Sequence, residues 1–166
     1  MVDVEADGPI PGDYSMVSLG AVVVEPSLRK TFYATLRPIS NRWDEAALRV
    51  CGFSRDETMS FSDPQEVIRE FSRWVSRQSS NPFFISDNNG FDWAFVNWYL
   101  LHFTGENPFG FSSSNLVDIY CGLKRDLDAI LKKSAPPPRH NALDDALANA
   151  KRFLALAQDY GITLDH

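Results

Sequence analysis

Six side chains in this sequence could do chemistry together: Asp3, Glu5, Asp92, His140, Asp144 and Asp145. Carboxylate oxygens are hard ligands suited to Mg²⁺ or Mn²⁺. Two such ions about 3.5–4 Å apart, with a base to activate water, are what two-metal phosphodiester hydrolysis requires. The acids come from well-separated segments, as expected of a site assembled where several elements end. Each also has a plainer reading. Asp3 and Glu5 alternate with apolar residues, as acids on an exposed strand face do. Asp92 precedes a helical run and could be its N-cap. His140 follows Pro136-Pro137-Pro138, in a setting where a lone histidine is ordinarily a solvated loop residue. Asn141 suits a helix N-cap and Asp144 the turn that follows. Helical periodicity does not separate Asp144 from Asp145 as the one facing a site.

The elements that must position these groups follow from pattern. Met1 to Ala6 alternates with period two and is expected to be a strand with Asp3 and Glu5 on one face. After the turn-rich stretch 7–13, Met16 to Glu25 is expected as a second strand around the buried run 20–24, with Thr31 to Leu36 as its hairpin partner. Asp44 to Val50 fits a short helix stopped at Gly52. Ser62-Asp63-Pro64 opens a longer one with Val67, Phe71, Trp74 and Val75 on its apolar stripe. Pro82 to Ser86 is a compact apolar strand, and 87–92 a turn before an aromatic helix from Trp93 to Phe103. Leu116 to Tyr120 is expected as a strand and Gly122 to Lys133 as a helix. The prolines at 136–138 make a stiff break, and the last helix runs from about Ala142 to Tyr160. Antiparallel strands followed by alternating strands and helices imply an α/β architecture with a mixed sheet. No repeat or linker divides the chain, so one domain over residues 1–166 is expected.

Composition bounds the function. With 22 acidic against 16 basic residues, a net charge of -6 and a pI near 5.0, tight electrostatic binding of long duplex nucleic acid is disfavoured, although a strand end held at one point is not. The two cysteines, Cys51 and Cys121, form no C-x-x-C pair and are expected to be reduced and packed, which argues against zinc and a disulfide framework. With no long apolar run and no signal-like start, a soluble cytoplasmic protein is expected.

Three blocks carry a resemblance. Asp3-Val4-Glu5 resembles a D-x-E on the first strand, followed by Ser18-Leu19-Gly20-Ala21-Val22-Val23, similar to a second strand reading I-G-A-V. Asn88-Asn89-Gly90-Phe91-Asp92 resembles N-x-x-F-D, and His140-Asn141-Ala142-Leu143-Asp144-Asp145-Ala146 resembles H-x-A-x-x-D-A. In order and context these resemble the DEDDh 3′→5′ exonucleases, whose members include ribonuclease T and oligoribonuclease. The resemblance implies a ribonuclease H-like mixed β-sheet flanked by helices. It also implies two Mg²⁺ or Mn²⁺ ions, with Asp3 bridging them, Glu5 and Asp145 completing the first and Asp92 holding the second. His140 would be the base, and the H-x-A-x-x-D spacing selects Asp145 over Asp144. The expected substrate is a single-stranded 3′ end of RNA or DNA, RNA by resemblance, with nucleoside 5′-monophosphates released. A homodimer is expected on the same ground. Substrate contacts are expected from Ala6, Asp7, Gly8, Asn88, Phe91 and Trp93, with Tyr14 or Met16 as further stacking faces. A loop entered through Ser134-Ala135-Pro136 is expected to close over the site.

Rival readings are a catalytically silent nucleic-acid-binding or scaffolding relative, a metal-dependent endonuclease or resolvase, and a structural domain whose acids face solvent. The first should have lost one of the five groups, and all five are present. The second would not require the histidine and its paired aspartate. The third predicts no stabilisation by Mn²⁺.

Overall fold

Alternation in the first strand gives the sheet two unlike faces, and each face recruits its own helices. In the computed structural model, which describes residues 1–132 and 140–164, the strands are β1 (Val2–Ala6), β2 (Met16–Val22), β3 (Thr31–Thr35), β4 (Phe84–Ser86) and β5 (Ser113–Asn115). The helices are α1 (Glu45–Cys51), α2 (Arg55–Met59), α3 (Pro64–Gln78), α4 (Asn89–Thr104), α5 (Leu116–Lys124) and α6 (Ala142–Tyr160). β1, β2 and β3 pair antiparallel in that order. β4 pairs parallel with β5 and lies beside β1.

Val2, Val4 and Ala6 face one way, toward Val67, Ile68, Phe71 and Val75 of α3 and Phe95, Val96, Tyr99 and Leu100 of α4. This is the larger core, and fully burying an aliphatic or aromatic side chain of this size contributes about 1.5–3 kcal/mol. Asp3 and Glu5 face the other way, opposite Gly20 and Ser18 of β2. On that side α6 buries Ala146, Ala150, Phe153 and Leu156 against Met1, Val22 and Ile85.

α6 comes so close to the sheet that a Cβ on Gly20 would collide with the Ala142 carbonyl group and the Leu143 amide. Gly20 therefore sets how near the start of α6 can sit to Asp3, its cross-strand partner. The N-terminus of α6 is capped by Asn141, whose side chain accepts from Leu143 N (3.0 Å) and Asp144 N (3.2 Å) and donates to Tyr33 Oη (3.3 Å). That last contact ties the cap to β3.

Several expectations are corrected. Leu116 to Tyr120 is the first part of α5 and not a strand, because Asn115 accepts from Val117 N (2.7 Å) and Asp118 N (3.2 Å) and starts a helix there. The partner of β4 is the preceding Ser113–Asn115. The helix expected over 122–133 is absent from 126–132, since α5 ends at Lys124 with Arg125 in the left-handed region (φ 55°). α4 begins at Asn89, four residues early, which puts Asp92 within its first turn and Asn88 at the cap position. α2 was not expected, although Ser54 and Glu57 form a capping box that the sequence carries as S-x-x-E. Residue 133, the proline break and the loop entered at 134–136 lie outside the described residues. Among those described, no helix is long and apolar enough to cross a membrane.

Substituting Gly20→Ala forces backbone apart from backbone and is expected to destabilise the protein by about 1–3 kcal/mol or more. Gly90→Ala, where a Cβ meets nothing within 4 Å, should be neutral or stabilising by up to ~1 kcal/mol as a helix substitution. Thermal denaturation of the two variants checks this, and equal melting temperatures would contradict the packing argument.

Candidate active site

β1, the start of α4, the segment after β4 and the start of α6 meet around a cleft of about 920 Å³. Asp3, Glu5, Asp92, His140 and Asp145 all line it, together with Asp87, Asn88, Phe91, Asn149 and Arg152. Two subsets are tight. Glu5, His140 and Asp145 each offer a ligand atom within 4.8 Å of the others, and so do Asp3, Asp87 and Asp92.

The fold holds each group individually. Asp92, 2% exposed, accepts at Oδ1 from Val4 N (3.2 Å), which links the start of α4 to β1 between the two acids. Its Oδ2 is buried, and the Ser86 side chain favours its charged form. Glu5 is buried, and its Oε2 accepts from Cys51 Sγ at 3.3 Å from the end of α1. His140 donates its backbone N–H to Val50 O (3.2 Å), and its Nδ1 lies 3.4 Å from Asp145 Oδ2. Asp145 N bonds Asn141 O (2.9 Å), and Asp145 turns into the cleft while Asp144 is exposed at its rim.

Like charges this close raise one another's proton affinity. Burial pushes Asp92 up to about 7, and Asp87 and Glu5 add to it. Burial also lifts Asp3 well above the usual carboxylate range, followed by repulsion from Asp92, Glu5, Asp145 and Asp87. Burial raises Glu5 and Asp145, both opposed by His140, and Glu5 also by the Cys51 thiol. Oxygen donors in this number fit hard divalent cations, which relieve such repulsion.

Of the expected substrate contacts, the structure brings Asn88 and Phe91 to the cleft. Ala6, Asp7 and Gly8 lie outside its lining and are buried. Asp7 is fully buried, accepting from Ser15 N and pairing with Arg55 Nη1 at 2.8 Å. The pairing of β1 with β2 shifts register between Glu5 and Ala6. Gly8 is covered by the Tyr14 ring, which also carries Arg42 at 4.9 Å from its centroid. Trp93 packs edge-on to Phe84 (5.1 Å) and Met16 is fully buried, so neither presents a face to the cleft.

The sequence reading missed Asp87, Asn149, Arg152 and Cys51. Asn149 and Arg152 lie four and seven residues after Asp145, so helical spacing puts them on its face. Asp87 directly follows the apolar strand β4, whose end opens on the cleft.

Known proteins share this fold. The nuclease domain of 3′hExo, a DEDDh family member solved bound to rAMP, superposes with a TM-score of 0.70 at 14% identity, over 99% of this chain and 94% of that one. S. pombe Pop2p in its Mg²⁺- and Mn²⁺-bound form gives 0.65 at 13% identity, over 99% and 84%. A 3′-5′ DNA exonuclease, Cap18 from Escherichia coli, is 35% identical over 165 residues, covering 92% of this chain and 87% of its own. Together these define a 3′-5′ exonuclease of the DEDDh type with the mixed α/β ribonuclease H-like fold. The chain belongs to the family described as the 3′-5′ exoribonuclease Rv2179c-like domain, which matches residues 1–157.

The raised Asp92 value makes a pH prediction. A carboxyl whose folded value exceeds its unfolded one contributes stability below the unfolded value of 3.8, and that contribution is lost as pH rises through about 7. In chelator, Asp92→Asn should therefore melt above the parent at pH 8, by an amount on the order of 1–4 kcal/mol. The gap should shrink at pH 5.5. An isosteric variant no more stable than the parent at pH 8 would contradict the electrostatic reading.

Proposed function

We propose that the protein is a metal-dependent exonuclease removing nucleoside 5′-monophosphates one at a time from a single-stranded 3′ end of nucleic acid. The observation that carries this is the convergence of Asp3, Glu5, Asp92 and Asp145 with His140 in one cleft. Asp3, Glu5, Asp92 and Asp145 would hold two Mg²⁺ or Mn²⁺ ions, which supply Lewis-acid activation of water and stabilise charge on the leaving 3′-oxygen.

The chain's own groups then divide the remaining work. His140 Nδ1 lies 3.4 Å from Asp145 Oδ2, which leaves Nε2 to accept the proton of the attacking water. Val4 N keeps Asp92 fixed through Oδ1. Phe91, partly buried in the cleft wall, offers a face against which a terminal base can stack. The family description supports RNA as substrate, and the Escherichia coli relative supports DNA. The homodimer remains part of the proposal, since exposed Phe83, Phe111, Leu127 and Ile130 give a second copy apolar surface to cover. Sedimentation equilibrium reads it.

Digestion of 5′-labelled single-stranded RNA and DNA of one sequence tests the proposal. With Mg²⁺ or Mn²⁺ a ladder shortened from the 3′ end is expected, abolished by chelator and by Asp145→Ala. His140→Ala should lower kcat by roughly 10²–10⁴-fold. The sugar giving the faster ladder identifies the substrate. Products cut internally, or no cleavage of either strand under any condition, would refute it.

A further inference from the structure

Beyond Asp145 the cleft continues along α6, and its wall changes character. Asn149, Lys151 and Arg152 line it there. With 1.5 Å of helical rise per residue, Asn149 stands about 6 Å and Arg152 about 10 Å along the axis from Asp145. Asn149 is 5% exposed, and its Oδ1 accepts from Arg152 Nη1 at 2.6 Å. That bond fixes the orientation of the amide and leaves its Nδ2 amino group without a partner among the described residues. Arg152 Nη1 also lies 3.7 Å from Asp87 Oδ2, whereas Nε and Nη2, on the edge suited to a two-oxygen acceptor, are buried and unpaired. Lys151 is exposed on the same wall, with no hydrogen bond or ion pair among the described residues.

Every polar side-chain atom that these three residues leave open is a donor, and two of the three are cations. Donors buried without an acceptor are costly unless a ligand meets them, and the ligand that matches such a wall is an oxygen-rich anion. A strand cut at its 3′ end supplies one. The terminal nucleotide carries the scissile phosphate as its own 5′ group, so every other linking phosphate of the strand lies on the 5′ side of the bond being cut. We infer that Asn149 and Lys151 form a subsite for the phosphate next on the 5′ side of the scissile one, with Arg152 as the positioning residue that presents Asn149 Nδ2. The inference rests on the exonuclease reading above and adds to it a preference for strands of more than two nucleotides.

A dinucleoside monophosphate has the scissile phosphate alone, and a trinucleoside diphosphate of the same sugar adds one phosphate on the 5′ side. With Mg²⁺ or Mn²⁺ the full chain is expected to cleave the longer with a kcat/KM roughly tenfold or more above that of the shorter. Lys151→Gln should lower that ratio by about fivefold or more. So should Asn149→Asp, which keeps an oxygen for Arg152 but replaces the donor with an acceptor. Salt gives a readout that a structural role would not move. For the longer substrate, Lys151→Gln should flatten the slope of log kcat/KM against log salt by about 0.7. Arg69→Gln, which removes an exposed charge of α3 on the far side of the sheet, should leave ratio and slope as they are. If Asn149→Asp does not fold, the exposed Lys151→Gln decides alone. Equal kcat/KM for the two substrates in the parent, or an unaltered ratio in Lys151→Gln, overturns the subsite. A parent that cleaves neither these nor longer single strands refutes the exonuclease reading itself, and this inference with it.

Discussion

Crowding of negative charge in one cleft is the constraint around which the molecule is arranged. Asp3, Glu5, Asp87, Asp92 and Asp145 converge there, and burial together with mutual repulsion works against their ionisation. A folded chain brings such groups together only where the rest of the structure over-determines their positions. The large core on the opposite face of β1, with Phe71, Phe95 and Tyr99 buried completely, supplies that rigidity. Val4 belongs to both sides of the problem. Its side chain is in the core and its amide holds Asp92.

The second requirement is proximity, and it is met by an absent side chain. Gly20, paired with Asp3, lets the backbone of α6 rest on the sheet beside the acids. The same approach brings Asp145 and His140 to Glu5, from a segment more than a hundred residues later in the chain. Two contacts then fix the start of α6 laterally: His140 N to Val50 O on α1, and Asn141 to Tyr33 on β3. Cys51, one residue past Val50, reaches Glu5. The short helix α1 thus supports both the histidine and a carboxylate, a role that its exposed polar surface does not advertise.

How much of this the sequence discloses depends on whether a group is set by local pattern or by packing. Period-two alternation placed Asp3 and Glu5 on one face, and helical periodicity delimited α6. Periodicity left Asp144 and Asp145 undivided because both flank the apolar stripe. Only the side on which β1 lies decides that Asp145 enters the cleft. Asp7 was expected near substrate from its place just after the D-x-E block, and its side chain turns inward to Ser15 and Arg55. Leu116 to Tyr120 misled because a short stretch with four apolar residues of five suits strand or helix, and the deciding group, the Asn115 cap, sits outside it. Asp87 looked like turn chemistry because its neighbours in the cleft come from β1 and α6, distant in sequence.

The two halves of the cleft differ in the cation the chain itself provides. Among the described residues, the cation on the Asp3, Asp87 and Asp92 side is Arg152, its Nη1 3.7 Å from Asp87 Oδ2. On the Glu5 and Asp145 side it is His140, whose Nδ1 lies 3.4 Å from Asp145 Oδ2. A proton released during hydrolysis can therefore be taken up on the second side and not by the guanidinium on the first. The proposal that His140 activates water places that step at the half built from β1 and the start of α6.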